Sequence, residues 1–337
     1  MRRLFTIVAA LAALLVTAAP ALACGGLIGP NGAVNLLRTT TFAGYHNGVE
    51  HYVTAFEFAG GGGAFGSIVP LPDVPTSVER GGDWTLQRLV RETDPQPLLF
   101  EAAAAARDAE VLLQTRIDAL DITILRGGGA EVGKWATDHG FRLPPDAPEV
   151  LDFYADRSPI FMAASFDADA ARERGQQVGD GTPVHLTIPT DDPWVPLRIL
   201  GLGKVAGETV QADVYLLTDA RPNLLPEPAR NGLALDHSAA ASDSLLADLR
   251  SDKGMEWIPA RAWLSKVRID ADAAQLKFDL AIDPTGASTP SMVDAGLGGT
   301  IRPPSLPTGN LLVLWLLVAV GIAIPTASGV ALAFRPR

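Results

Sequence analysis

The sequence predicts an α+β domain of largely antiparallel sheets with several helices, plus one C-terminal transmembrane helix. Three observations carry this. Stretches with the two-residue alternation of half-buried strands fill the first third and the second half of the chain. A block of helical periodicity lies between them, and strands, then helices, then strands suit α+β pairing better than a doubly wound parallel sheet. Near the C-terminus, 24 consecutive residues carry no charge (LLVLWLLVAVGIAIPTASGVALAF).

Taken in order, residues 36–45 and 49–59 read as strands flanking His46-Asn47-Gly48, whose Asn-Gly pair marks a hairpin. A third strand at 65–71 stops at Pro70-Leu71-Pro72, because proline cannot donate to a ladder. A helix over 84–93 carries apolar Trp84, Leu86, Leu89 and Val90. The alanine-rich stretch 97–114 predicts another helix from propensity alone. A short strand is expected at 122–125. A helix over 130–139 ends at Gly140, and one over 148–154 has proline in its first turn. Strands follow at 160–166, 184–188, 197–202 and 210–217. Two last strands, 262–269 and 275–282, bracket Asp270-Ala271-Asp272 as a closing hairpin.

Composition narrows the function classes. Of 337 residues, 47% are hydrophobic and 19% charged, which excludes wholesale disorder and a polytopic membrane protein. Glycine (33) and proline (26) recur without a period, so collagen-like and repeat architectures are excluded too. A net charge of −11 argues against non-specific nucleic-acid binding, which needs a basic face. One cysteine leaves no intramolecular disulfide framework and no cysteine-based zinc site.

Both ends read as addresses. Met1-Arg2-Arg3, an apolar run and Ala21-Leu22-Ala23 form a signal peptide over 1–23, cleaved between Ala23 and Cys24. Cys24 is then the first mature residue and the candidate for lipidation. The alternative is a free or intermolecularly paired thiol, and both readings stay open. The charge-free run, with ends at Leu311 and Phe334, spans about 36 Å at ~1.5 Å per residue, against a hydrocarbon core of about 30 Å. Arg335 and Arg337 follow as positive-inside anchors, so residues 335–337 form a cytoplasmic tail. Residues 24–287 are the expected extracytoplasmic domain. Residues 288–310, rich in Gly, Pro, Ser and Thr, read as a tether, with an ordered loop packed on the domain as the alternative for its first half. This predicts a single-pass protein of the cell membrane with its N-terminal domain outside.

Several short segments fall in a recognisable order: Cys24-Gly25-Gly26, Phe65 through Pro72 (FGSIVPLP), Trp135 through Pro144 (WATDHGFRLP), and Trp194 through Ile199 (WVPLRI). Together they resemble the bacterial DUF2330 family. The resemblance implies a signal peptide, an exported domain of this length and often a C-terminal membrane helix. It implies no catalytic residues.

Other motifs are tempting. Gly61, Gly63 and Gly66 match the dinucleotide fingerprint, but an extended Ser-Ile-Val-Pro-Leu-Pro follows where a helix N-terminus is needed. Gly128 to Trp135 matches the phosphate-loop spacing as far as Gly133-Lys134, yet Trp135 replaces the hydroxyl that binds magnesium. The histidines, His46, His51, His139, His185 and His237, form no helical metal pair, and no serine elbow accompanies them. Asp138-His139 and Asp236-His237 are neighbours in sequence, which on a helix point about 100° apart. Acidic pairs Asp167/Asp169, Asp191/Asp192 and Asp270/Asp272 lack the calcium-loop pattern and read as solvated turns. Trp135, Trp194, Trp257 and Trp263 either fill the core or line a glycan or peptide groove.

The expectation is therefore an exported envelope protein serving as a non-catalytic binding or structural module. A secreted envelope-polymer hydrolase and an accessory subunit of a membrane complex are the alternatives. Implied partners are the lipid bilayer, through the C-terminal helix, and an envelope protein or glycan. No nucleic acid, cofactor or metal is implied, and the oligomeric state is open.

Overall fold

The computed structural model describes residues 26–29, 32–33, 39–57, 66–82, 84–93, 113–118, 120–167 and 181–298. The signal peptide, Cys24, Gly61 and Gly63, residues 97–112, and everything from 299 onward, including the predicted span Leu311–Phe334 with Arg335 and Arg337, lie outside them. Among the described residues, no helix is long and apolar enough to cross a membrane.

In chain order the first strands are β1 (Gly26–Gly29), β2 (Gly32–Ala33), β3 (Thr39–His46), β4 (Val49–Glu57), β5 (Gly66–Leu71) and β6 (Ser77–Arg80). Helix α1 (Thr85–Thr93) precedes β7 (Leu113–Ile117) and β8 (Leu120–Arg126), then α2 (Gly129–Asp138) and α3 (Ala147–Ala155). β9 (Ile160–Phe166), β10 (Gly181–Pro189), β11 (Trp194–Val195), β12 (Thr209–Thr218), β13 (Asn223–Leu225) and β14 (Leu233–Ala240) follow. The last elements are α4 (Asp243–Ser251), β15 (Trp263–Asp272) and β16 (Leu280–Asp283).

The α+β expectation holds. A seven-stranded sheet runs β14-β15-β12-β3-β4-β10-β6, and a six-stranded sheet runs β2-β1-β5-β9-β8-β7. A three-stranded sheet runs β11-β16-β13. The described pairings are antiparallel except β12 with β3. The predicted hairpin forms at Asn47-Gly48, both in the left-handed region (φ 52° and 76°), which gives the twist that joins β3 to β4.

Alternation along the strands builds two cores. One face of the seven-stranded sheet presents Phe42, Val53, Tyr215, Leu217 and Leu264 to Leu89 of α1 and to Leu245, Leu246 and Leu249 of α4. The opposite face presents Ala43, Tyr52, Leu186, Val214, Leu216 and Val267 to the six-stranded sheet, whose Val69, Ile122, Ile124 and Met162 join the same cluster. Val132 and Trp135 of α2 and Leu151 and Tyr154 of α3 belong to it too. Strands β5 and β9 are buried at every position, so both their faces are covered.

Three expectations fail. Leu113 and Gln114, placed at the end of a helix, open strand β7 and pair with Ile124 and Thr123 of β8. A complete ladder outweighs helix propensity, which is worth only about 0.7 kcal/mol per ordinary residue. The strand expected over 197–202 is a single 3-10 turn, Arg198–Gly201. The closing hairpin does not exist: β15 belongs to the seven-stranded sheet and β16 to the three-stranded one, separated by a turn after Asp272. One residue explains both of the last two, as the site shows.

Of the region read as a tether, residues 288–298 fold back on the domain. Asp283 accepts the backbone N–H of Ser288 (2.6 Å), and Ala295 is fully buried with its carbonyl accepting from the N–H of Asp279 (2.9 Å). The chain divides into two units, Met1–Gly298 and Gly299–Arg337.

Candidate functional site

The segments that carry the resemblance converge. Gly26 pairs with Ile68 through β1 and β5. A Cβ on Gly66 would lie 2.7 Å from the ring of Phe141, so the bare backbone there seats the end of the WATDHGFRLP segment. Pro72, just after β5, and Trp194 of WVPLRI line one cavity.

Asp279 organises that end of the molecule. It has no exposed surface, and its Oδ1 accepts the Tyr154 hydroxyl (2.8 Å) and the backbone N–H groups of Leu197 (2.7 Å) and Arg198 (3.0 Å). Its Oδ2 takes the Arg157 guanidinium. The Tyr154 oxygen in turn accepts the N–H of Ile199 (2.9 Å). Two successive amides turned toward one carboxylate cannot also serve a ladder, so residues 197–202 coil. The chain around Asp279 bends toward them instead of pairing with β15. Arg157 lies 4.0 Å over the Trp194 ring, a cation–π contact. Burial and the neighbouring Asp279 hold the Tyr154 phenol well above its usual range, so it remains a donor.

Above this hub opens a cavity of about 470 Å³. Its walls include Asp73 after β5, Arg157 and Ser158 before β9, Thr190, Asp191 and Asp192 after β10, and Asp294. An adjoining cavity of about 220 Å³ shares Asp191, Asp192 and Asp294. The cation in the wall, Arg157, is committed to Asp279, and among the described residues none of the four carboxylates sits in an ion pair. Burial, then the charges of Asp294 and Asp191, hold the Asp192 carboxyl above its usual value. Under the cavity, burial and Asp191 raise Tyr45, whose hydroxyl donates to the Thr190 carbonyl (2.9 Å). The arrangement can accept a positively charged group, and in the adjoining cavity the Ser291 hydroxyl donates to Asp294.

The histidines lie elsewhere: none lines either cavity. His46 Nδ1 is 2.7 Å from Asp219, a half-exposed pair, and its Nε2 faces the Asn47 amide nitrogen at 2.8 Å. His139 stacks on Trp135 at 4.3 Å, with Nδ1 2.8 Å from the Trp135 carbonyl. Asp138 pairs with Lys134 and Asp236 with Arg268 (2.7 Å), so neither neighbouring Asp-His couple is a dyad. His51 and His185 meet on the helix-covered face, their Nδ1 and Nε2 being 2.9 Å apart. Ser67 is buried on a strand.

The phosphate-loop lookalike does open a helix after a strand. Its amides, however, are already occupied by the protein's own carboxylates: Glu131 accepts the N–H of Gly128 (2.8 Å) and Asp152 that of Gly129 (3.2 Å). An incoming phosphate would have to displace two anions. Asp272 accepts the N–H groups of Gly207 (3.1 Å) and Ala274 (2.8 Å), as a turn does. Among the described residues no group of three or more His, Cys, Asp or Glu is placed to hold a metal ion. Trp135 and Trp194 are buried, while Trp257 and Trp263 are half-buried.

Of the cavity, the sequence singled out Gly48, Pro72, Asp191/Asp192 and Trp194. Arg157, Asp279 and Asp294 were missed, being ordinary charged residues scattered over 137 positions. The proline-flanked turns at Pro72-Asp73 and 189–193 were the available signal.

A family model described as an uncharacterized protein conserved in bacteria (DUF2330) matches residues 18–300. No curated protein matches the chain. Among solved structures, a mutated baculovirus P35 after caspase cleavage aligns with a TM-score of 0.40 and 8% identity, over 74% of this chain and 98% of that one. Baculovirus P35 itself aligns at 0.38 and 8%, over 74% and 96%. P35 in a caspase-8/P35 complex gives 0.39 and 7%, over 73% and 96%. With TM-scores no higher than 0.40, these likenesses carry no argument.

Proposed function

Because the chain belongs to the DUF2330 family of proteins conserved in bacteria, we propose that it is an exported, membrane-anchored envelope protein with a non-catalytic binding domain. Export rests on the signal pattern ending at Ala23, and anchoring on the run from Leu311 to Phe334 with Arg335 and Arg337 behind it. The observation that carries the binding role is the cavity, where Asp73, Asp191, Asp192 and Asp294 present uncompensated negative charge to an opening of about 470 Å³. A cationic segment of an envelope protein or an amino-bearing glycan has the matching chemistry. A histidine-based hydrolase would need one of the five histidines at that opening, and none of them lines it.

The test is calorimetric titration of the full chain in detergent with tetralysine. Binding should weaken at least tenfold in the combined Asp191→Asn, Asp192→Asn, Asp294→Asn variant and at raised salt. Equal affinity in the variant, or no binding to either protein, sinks the reading.

A further inference from the structure

On the face of the seven-stranded sheet opposite that cavity's core, a strap of residues 252–262 joins α4 to β15. It is anchored at its start by Asp252, whose Oδ2 accepts the backbone N–H of Trp84 (3.0 Å) and the Thr85 hydroxyl (2.7 Å) at the entry of α1. Its middle is held by Trp257. A Cβ at Gly44 would overlap the Trp257 ring, so only glycine lets the indole lie down on β3. The His51 imidazole lies flat on that indole, 3.7 Å between centroids and 2° between planes. Phe42 stacks with the indole as well, at 5.9 Å. His51 is tied to His185 by the 2.9 Å nitrogen–nitrogen contact, and His185 is only 5% exposed. The strap's own Met255 and Ile258 are buried in the helix-side core.

We propose that His51, His185 and Trp257 form an acid-released latch, which holds residues 252–262 on the sheet when both imidazoles are neutral and frees them when both are protonated. A hydrogen bond between two imidazoles needs one nitrogen with a proton and one without. One proton added to the pair can be shared across that bond. A second leaves two N–H groups and two positive charges facing each other across 2.9 Å in a mostly buried site. Movement of His51 removes the surface on which Trp257 is stacked.

The surrounding charges set the direction. Glu256 on the strap favours protonated His185, while His46 on β3 opposes a charge on His51. Glu79 of β6 is the cross-strand neighbour of His185. Burial, then the facing His185, holds His51 down to about 3, and burial holds His185 to about 4. Both groups would return toward about 6.5 on release into water, so each opening event takes up two protons. Between those limits the open-to-latched ratio rises about a hundredfold for each pH unit of acidification.

The experiment follows Trp257 emission in the full chain, taken as the difference from Trp257→Phe, with acrylamide as quencher and circular dichroism alongside. From about pH 7 to about pH 4, Trp257 should become quenchable with a two-proton slope before the sheet signal is lost. In His185→Gln the amide oxygen can accept from a protonated His51, so Trp257 should stay shielded over the same range. His185→Asn serves if that variant does not fold. Loss of shielding only together with global unfolding, a slope of one proton or none in the wild-type chain, or an unchanged midpoint in the glutamine variant overturns the latch.

Discussion

A carboxyl group with no partner is costly to ionise in a protein interior, and Glu50 shows the consequence. It sits on the sheet-facing side of β4, 1% exposed, and neither of its oxygens has a hydrogen-bond partner. Burial alone pushes its carboxyl up to about 8. Its folded value lies above its unfolded one, so folding binds the proton, and the associated stability is lost as pH rises between about 4.5 and about 8. The two latch histidines work in the opposite sense, with depressed folded values, so they cost stability only as pH falls below about 6.5. Between about pH 6.5 and about pH 8 the Glu50 effect stands alone. There, Glu50→Gln should gain about 1 kcal/mol over the wild-type chain per pH unit in urea unfolding, and a flat difference across that range refutes the buried acid. The alternation of Val49-Glu50-His51-Tyr52 announced a strand, but not which polar residue would be turned inward.

At the scale of elements, Asp279 determines the course of more backbone than any strand signal in its vicinity. It fixes the end of α3 through Tyr154 and Arg157 and turns residues 197–202 into a 3-10 turn. Asp279→Ala would leave a largely buried guanidinium without its partner and two amides unmet. The expected loss is about 3–5 kcal/mol in chemical denaturation, with a weakened response to tetralysine because Arg157 and Trp194 line the same cavity. A loss below about 1 kcal/mol would mean that water replaces the carboxylate. The periodicity of 197–202 is that of a strand, so the sequence misleads here: a contact 82 positions away overrides it. Helix α4 was legible but unread. Ser242 accepts the N–H of Leu245 (3.2 Å), Asp243 stands in the first turn and Arg250 in the last, as N-capping and the helix dipole favour.

At the scale of the molecule, the folded unit continues to Gly298, because Ala295 and Gly296 pack against the Asp279 region and Phe153. On the proposed topology, a Cys24→Ser chain ending at Gly298 should keep its melting temperature within about 2 °C while moving from the membrane pellet to the supernatant. The full chain should pellet, with its N-terminus at Cys24 and a mass that distinguishes acylated from bare thiol. A pelleting truncation, or a full chain that is dispersed and still bears Met1, contradicts the anchored reading.

The sequence by itself determined the class of the fold, the Asn47-Gly48 hairpin, most strands, three of the four described helices and the family. These follow from local rules, namely side-chain period, turn chemistry and caps, which act over a few residues. Only the tertiary structure decided that Asp73, Asp191, Asp192 and Asp294 share a cavity, and that Asp279 is their foundation. It alone brought His51 and His185 together under Trp257. Such groupings depend on strand order and on which face each side chain takes, and the free energies that select them come from contacts among residues far apart in the chain.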